Sequence, residues 1–254
     1  MQLVTLTTDF GTKDYYVAQL KAGILGVNLQ VSFIDVSHQI DTYDIMQAAF
    51  FVKNICNYSP KNTIHVCLVN NYYSQKYKLL IAKHEGQYYI APNNGLLSLV
   101  FQDLSVIYEI EEDKSPQKSL QGMVSHAIGC ISNGLPIDEL GSACRNFVSK
   151  LELRPVITST QIRATIIHID HFDNVIVNLQ KSEFQKVRAG RSFAIYYKQN
   201  DPIDEIRTHF GEVSPGEVIC YFNDAGYLTI GINMGKASSY LNLHKNETIQ
   251  INFF

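Results

Sequence analysis

Over its first 150 residues the chain alternates between two hydrophobic periods, and few folds can satisfy both. Short, nearly continuous apolar runs, QLVTLT (2–7), VSFIDV (31–36) and TIHVCLV (63–69), have the character of buried strands. Between them, YYVAQLKAGILGV (15–27) and YDIMQAAFFVKNI (43–55) place apolar residues at helical spacing. KLLIAKH and QYYIAP, separated only by Glu85 and Gly86, predict a hairpin, because a two-residue linker with glycine can make the tight turn. A strand at 106–110 and a helical stretch near 123–133 follow. This alternation predicts an α/β N-terminal domain over residues 1–153, a mostly parallel sheet with helices on both faces. Functional loops in such a sheet sit at the carboxyl ends of the strands. Here those are Asp9-Phe10-Gly11, Ser37-His38, Asn70-Asn71-Tyr72 and Asn93-Asn94-Gly95.

The character changes after about residue 150, where LELRPVITSTQ carries Pro155 and no helical periodicity. β-rich runs come next, IRATIIHI, SFAIYY, EVICYF, YLTIGI and TIQINFF, some of them parted by turns such as SPGE (214–217) and NDAG (223–226). The pattern predicts a second, all-β domain over residues 160–254, a small barrel or sandwich.

Composition narrows the function classes. At 18% charged residues and net charge −3 the chain offers no excess for a polyanion, so no nucleic-acid partner is expected. Five scattered cysteines, never spaced CxxC, argue against a disulfide framework or a zinc site and suit a reducing cytosol. No apolar stretch approaches the roughly 20 residues that cross a bilayer, and no leader is visible, so a cytoplasmic protein with no membrane partner is expected. GxGxxG after the first strand, GxxxxGK[ST], GxSxG and HExxH are all missing, and no metal is expected.

Three stretches carry candidate chemistry. Asp9 in TTDFG follows a strand, and a carboxylate there can accept both hydroxyls of a ribose; it could equally cap the following helix. In IDHFDNVIVN (169–178), Asp170, Phe172, Asn174 and Asn178 share one parity, so in a flat strand they would face one side. Acid, ring and amides together could hold an ammonium, stack a base and read a purine edge; a bulge or a satisfied turn network would break that alignment. YFNDAGYLTIGINMG (221–235) reads as a hairpin through Asn223–Gly226, with Gly235 letting a flat ligand approach the backbone. His38, just past the second strand, reads as a structural hydrogen-bonder.

Seven segments come in a fixed order: LTTDFGTKDYYVAQLKAGIL, IDVSHQIDTYDIMQAAFFV, IHVCLV, YYIAPNNGLLSLV, GLPIDELG, IDHFDNVIVN and NDAGYLTIGINMGKAS. Together they resemble the S-adenosylmethionine hydroxide adenosyltransferase family, which includes the fluorinase and chlorinase enzymes. The resemblance implies an α/β N-terminal domain, a β-barrel C-terminal domain and a homotrimer. In that family the ligand lies between the N-domain of one subunit and the C-domain of its neighbour, and water, hydroxide or halide attacks C5′ of the ribose. It also implies roles by position. Asp9 would bind the ribose hydroxyls and Tyr43 would pack beside the ribose. Asp170 would meet the methionine ammonium; Phe172, Asn174 and Phe210 would flank and read the adenine. Asp224 would stand near the methionine end, with Asn233 and Met234 close to the adenine. No cofactor is implied beyond S-adenosylmethionine as substrate or ligand.

The loop LVNNYYSQKYKLLIA (68–82) departs from that family. Hydrolytic relatives carry a DPGVG motif at 70–74, an arginine at the position of Tyr77 and a histidine in a later HGRD-like motif. Here Asn70 replaces the acid and Tyr77 the arginine, and Asn93 replaces an aspartate in APNNG. Near the histidine position stand Gln121 or Ser119, with His126 offset by several residues. An amide cannot take a proton from water, and losing an acid or base costs on the order of 10²–10⁴-fold in rate. The chain is therefore expected to bind S-adenosylmethionine or adenosine. Hydrolysis to adenosine and methionine would be slow or would lean on Asn70, Lys76, Lys78, Tyr72 or His126; the alternative is a non-catalytic nucleoside-binding or structural trimer.

Overall fold

The computed structural model describes residues 1–71, 78–104, 106–197 and 202–254; Tyr72, Lys76 and Tyr77 lie outside them. The chain divides into two compact units, Met1–Leu151 and Glu152–Phe254.

In the first unit the strands are β1 (Gln2–Thr8), β2 (Val31–Ser37), β3 (Ile64–Leu68), β4 (Leu79–His84), β5 (Gln87–Pro92), β6 (Ile107–Ile110) and β7 (Gly141–Ala143). They form one sheet in the order β2-β1-β3-β5-β4-β6-β7. The helices are α1 (Tyr16–Val27), α2 (Ile45–Cys56), α3 (Leu96–Val100) and α4 (Leu120–Ser132). Alternate residues of the buried strands face opposite layers, as the pleat requires. Ile64, Val66 and Leu68 of β3 pack with Leu20 and Ile24 of α1 and with Met123 and Ala127 of α4. Cys67 and Val69 join Ala48 and Val52 of α2 and Leu96 of α3 on the other side.

The sheet is mixed rather than mostly parallel. β1 pairs parallel with β2 and β3, and β3 with β5, but β4 runs antiparallel to β5 and β6, and β6 to β7. The cause is the Glu85–Gly86 connection. Both residues are left-handed, φ 49° and 83°, which makes a two-residue hairpin and forces β4 to run back against β5.

The second unit is an antiparallel sheet of β8 (Val156–Ile157), β9 (Gln161–Ile169), β10 (Val175–Gln180), β11 (Phe193–Tyr196), β12 (Val218–Phe222), β13 (Tyr227–Ile232) and β14 (Thr248–Phe253). The main path is β11-β14-β9-β10-β13-β12, with β8 paired to β9. Inward residues of the six long strands share one core, so the sheet curls around its own interior. The unit is not all-β: α5 (Lys181–Arg188) puts Phe184 into that core, and α6 (Ala237–Leu241) buries Ala237 and Leu241. Among the described residues no helix is long and apolar enough to cross a membrane.

Candidate functional site

β1, β2, β3 and β5 point the same way, so their carboxyl ends bring Asp9, His38, Asn70 and Asn93 to one edge of the first unit. Asp9 is the focus of that edge. Its Oδ2 accepts the main-chain N–H of Tyr43 at 3.1 Å and of Asn70 at 3.2 Å. Both donors are left-handed, φ 69° and 54°, a conformation that costs an ordinary residue about 1–2 kcal/mol. Among the described residues Oδ1 accepts nothing. Asp9 is thus not the cap of α1, whose N-terminus at Tyr15 has no side-chain cap.

Local sequence explains how each donor is aimed. Asp44 caps α2, taking the N–H groups of Met46 at 3.0 Å and Gln47 at 2.9 Å, and this fixes the turn in which Tyr43 stands exposed. Asn94 donates to the carbonyls of Val69 at 2.9 Å and Asn70 at 3.2 Å, bracing the second donor. Asn93 Oδ1 accepts the Val148 N–H at 2.8 Å. Asn70 is thus the carboxyl-edge asparagine whose main chain donates to Asp9.

Two of the other expected catalytic residues, Lys78 and His126, have surroundings of their own. Lys78 precedes β4, three strand spacings or about 14 Å from β1. It lines a different cavity, of about 700 Å³, with Glu109, Cys144 and Arg145. His126 lies about 9 Å down α4 from Leu120, its ring against Cys130 Sγ at 3.6 Å. Ser119 caps α4, its hydroxyl accepting the Gly122 N–H at 3.1 Å. Lys76 falls outside the described residues, as do Tyr72 and Tyr77.

In the second unit a cavity of about 710 Å³ gathers five of the expected residues: Asp170, Phe172, Asn174, Phe210 and Met234. The stretch 170–174 is the turn between β9 and β10, not a flat strand. Asp170 closes that turn. Its Oδ1 accepts the N–H groups of Phe172 and Asn174, each at 2.9 Å, and its Oδ2 accepts Asn174 Nδ2 at 3.0 Å. Parity is lost, and Asn178 instead bridges Thr165 N–H at 2.6 Å and the Leu153 carbonyl at 2.7 Å.

Asn233 is also taken up by structure: its Nδ2 donates to the Val213 carbonyl at 2.8 Å, and its main chain pairs with Gly216 and Glu217. Asp224 sits exposed in the β12–β13 turn. Phe172 and Met234 stand 73% and 88% exposed at the rim, large apolar groups left open by the described residues of their own unit.

Three residues of the cavity region escaped sequence reasoning. Gly231 on β13 is one: a Cβ there would stand 2.7 Å from Asn174 Oδ1 and 3.2 Å from the Phe210 ring. An isolated glycine inside a strand was the available signal. Tyr221 meets Phe210 edge-on at 5.2 Å, and its hydroxyl is pushed up to about 12 by burial and then by Asp170 and Asp224. Lys236 is the third, on the wall near Gly235.

Comparison with known proteins gives the setting. Residues 4–129 match the model of the SAM hydroxide adenosyltransferase N-terminal domain, and 164–250 that of the C-terminal domain. A protein named (R)-S-adenosyl-L-methionine hydrolase from Methanocaldococcus jannaschii is 28% identical, covering 99% of this chain and 96% of its own. A fluorinase from an Actinoplanes species is 23% identical, covering 98% and 97%. A crystal structure of an uncharacterized conserved protein from Thermotoga maritima superposes with a TM-score of 0.87 at 23% identity, over 98% of this chain and 99% of that one.

Proposed function

The chain belongs to the S-adenosylmethionine hydroxide adenosyltransferase family, and from that premise we propose that it binds S-adenosylmethionine or adenosine. In this reading the ligand bridges two copies of a homotrimer. Asp9 of one copy takes the ribose hydroxyls, while the cavity of its neighbour holds the adenine between Phe172 and Phe210, with Asn174 at the purine edge. The tail lies toward Asp170 and Asp224. The observation that carries the reading is the state of Asp9. One carboxylate oxygen is held by two main-chain amides, and the other, which accepts nothing among the described residues, offers two lone pairs to a pair of hydroxyls. The exposed rim of Phe172 and Met234 supports the neighbouring copy as its cover.

Chemistry at C5′ is slow in this reading. Water attacks C5′, the O–C5′ bond forms as the C5′–S bond breaks, methionine leaves with the electron pair, and the surplus proton passes to solvent. Holding and drying the reactants does much of this work. A base would add a further 10²–10⁴-fold or so, and Asn70 offers only an amide at that place. The three strand spacings between β1 and β4, which Lys78 precedes, favour the second reading, a binding protein without turnover.

Incubating the purified protein with S-adenosylmethionine, with and without chloride, and following adenosine by chromatography tests the proposal. Slow, protein-dependent adenosine formation is expected. Saturable adenosine binding without any product removes turnover and keeps the binding reading; no binding of either molecule removes both.

A further inference from the structure

We propose that Thr8, His38, Asp35 and Lys21 form a positioning relay that fixes the Asp9 carboxylate for its ligand, a role that rests on the reading of Asp9 given above. The Thr8 hydroxyl lies 2.8 Å from His38 Nδ1, and His38 Nε2 lies 3.2 Å from Asp35 Oδ1, an electrostatic contact without hydrogen-bond alignment. The other Asp35 oxygen takes Lys21 Nζ at 2.6 Å. Burial alone would raise the Asp35 carboxyl, but Lys21 and His38 together outweigh it and hold the group below its ordinary range. A charged Asp35 favours the His38 tautomer with its proton on Nε2. Nδ1 is then an acceptor, so the Thr8 hydroxyl donates to it, and Thr8 Oγ1 is left to accept the Phe10 N–H at 3.4 Å.

The relay therefore reaches the residues on both sides of Asp9. The Gly11 N–H also donates to the His38 carbonyl at 2.7 Å, and Gln39 Nε2 reaches Thr12 Oγ1 at 3.1 Å. Residues 8, 10, 11 and 12 are all tied to His38, its neighbour Gln39 or Thr8, and Asp9 is the one left pointing elsewhere. Joining β1 to β2 does not require such a device. Their ladder runs from Gln2 to Thr7, and its register shifts between Leu6 and Thr7, immediately before the relay. Shifts of this kind re-aim side chains beside functional sites. Thr8 is fully buried and His38 nearly so, in a place where two apolar residues would hold the layers together without needing partners.

A ligand comparison on the full chain tests the relay. Calorimetric titration with adenosine and with 2′-deoxyadenosine measures the preference for an intact ribose. In the unaltered protein a preference of roughly tenfold or more is expected, the size of a hydrogen bond to a charged group. Asp9→Asn should abolish it. Thr8→Val, which keeps the shape and loses the hydroxyl, should bring it to within about twofold of unity, and Thr8→Ser should restore it. A structural role alone would weaken both ligands equally and leave the ratio intact. If Asp9→Asn removes the preference while Thr8→Val keeps it, the relay is overturned and the reading of Asp9 stands. If the unaltered protein fails to bind adenosine, or binds both nucleosides alike, both are overturned.

Discussion

Gly231 shows how a single missing atom shapes the second-unit cavity. Its bare Cα lets the Asn174 amide and the Phe210 ring lie over β13. Gly231→Ala should move both, at about 1–3 kcal/mol in stability, the usual cost of overpacking. Adenosine affinity should fall at the same time; denaturant unfolding and titration of the same sample check the two effects together. The residues around it also show how far side-chain roles can be read from sequence. Asp170, Phe172 and Asn174 were legible as a group because acid, ring and amide cluster within five positions. Their arrangement was not, since the strand-parity argument ignores that an aspartate can close a turn with its own side chain, as Asp170 does through three donors. His38 was legible as a structural hydrogen-bonder, but its partner Thr8 was not: 30 residues separate them, and the pairing of β1 with β2 brings them together.

Among elements, β3 is held by more than its apolar faces. His65 lies between them, 2 % exposed, its Nδ1 2.8 Å from Thr5 Oγ1 on β1 and its Nε2 3.3 Å from Gln87 Oε1 on β5. Gln87 goes on to the carbonyls of Cys56 and Ser59, at 3.0 and 2.6 Å, which ties the end of α2 to the sheet. Burial, opposed in part by Gln87, pulls the His65 pKa from 6.5 to about 4. Above pH 6.5 the ring is neutral folded or unfolded and contributes no pH dependence. Between pH 6.5 and about 4 the unfolded chain binds a proton that the folded chain refuses, so stability falls as the pH is lowered, by about 3 kcal/mol in all. Urea midpoints measured across that window should slope accordingly, and His65→Gln, though weaker at neutral pH, should flatten the slope. The long elements of the first unit were legible because period and turn chemistry agreed; Glu85–Gly86 gave its hairpin away. The short helices α3, α5 and α6 were not. α5 buries only Phe184, too little to set a period, and its signal lies in the reciprocal cap of Gln180 and Glu183.

At the scale of the whole molecule, the two units carry different features: a carboxylate at a sheet edge in one, a lined cavity with exposed apolar rim in the other. The trimeric reading proposed above makes adenosine affinity depend on assembly. Light scattering should give three copies, and dilution to the point of dissociation should abolish binding; full affinity in a monomer would remove the intersubunit site. The grip on Asp9 has an evolutionary reach of its own. Both of its amide donors belong to the polypeptide backbone, so the side chains at 43 and 70 can be exchanged without surrendering the contact, provided the left-handed turn survives. In the proposed reading, recognition of the sugar is thereby uncoupled from reactivity toward it, and a lineage can discard the second while inheriting the first.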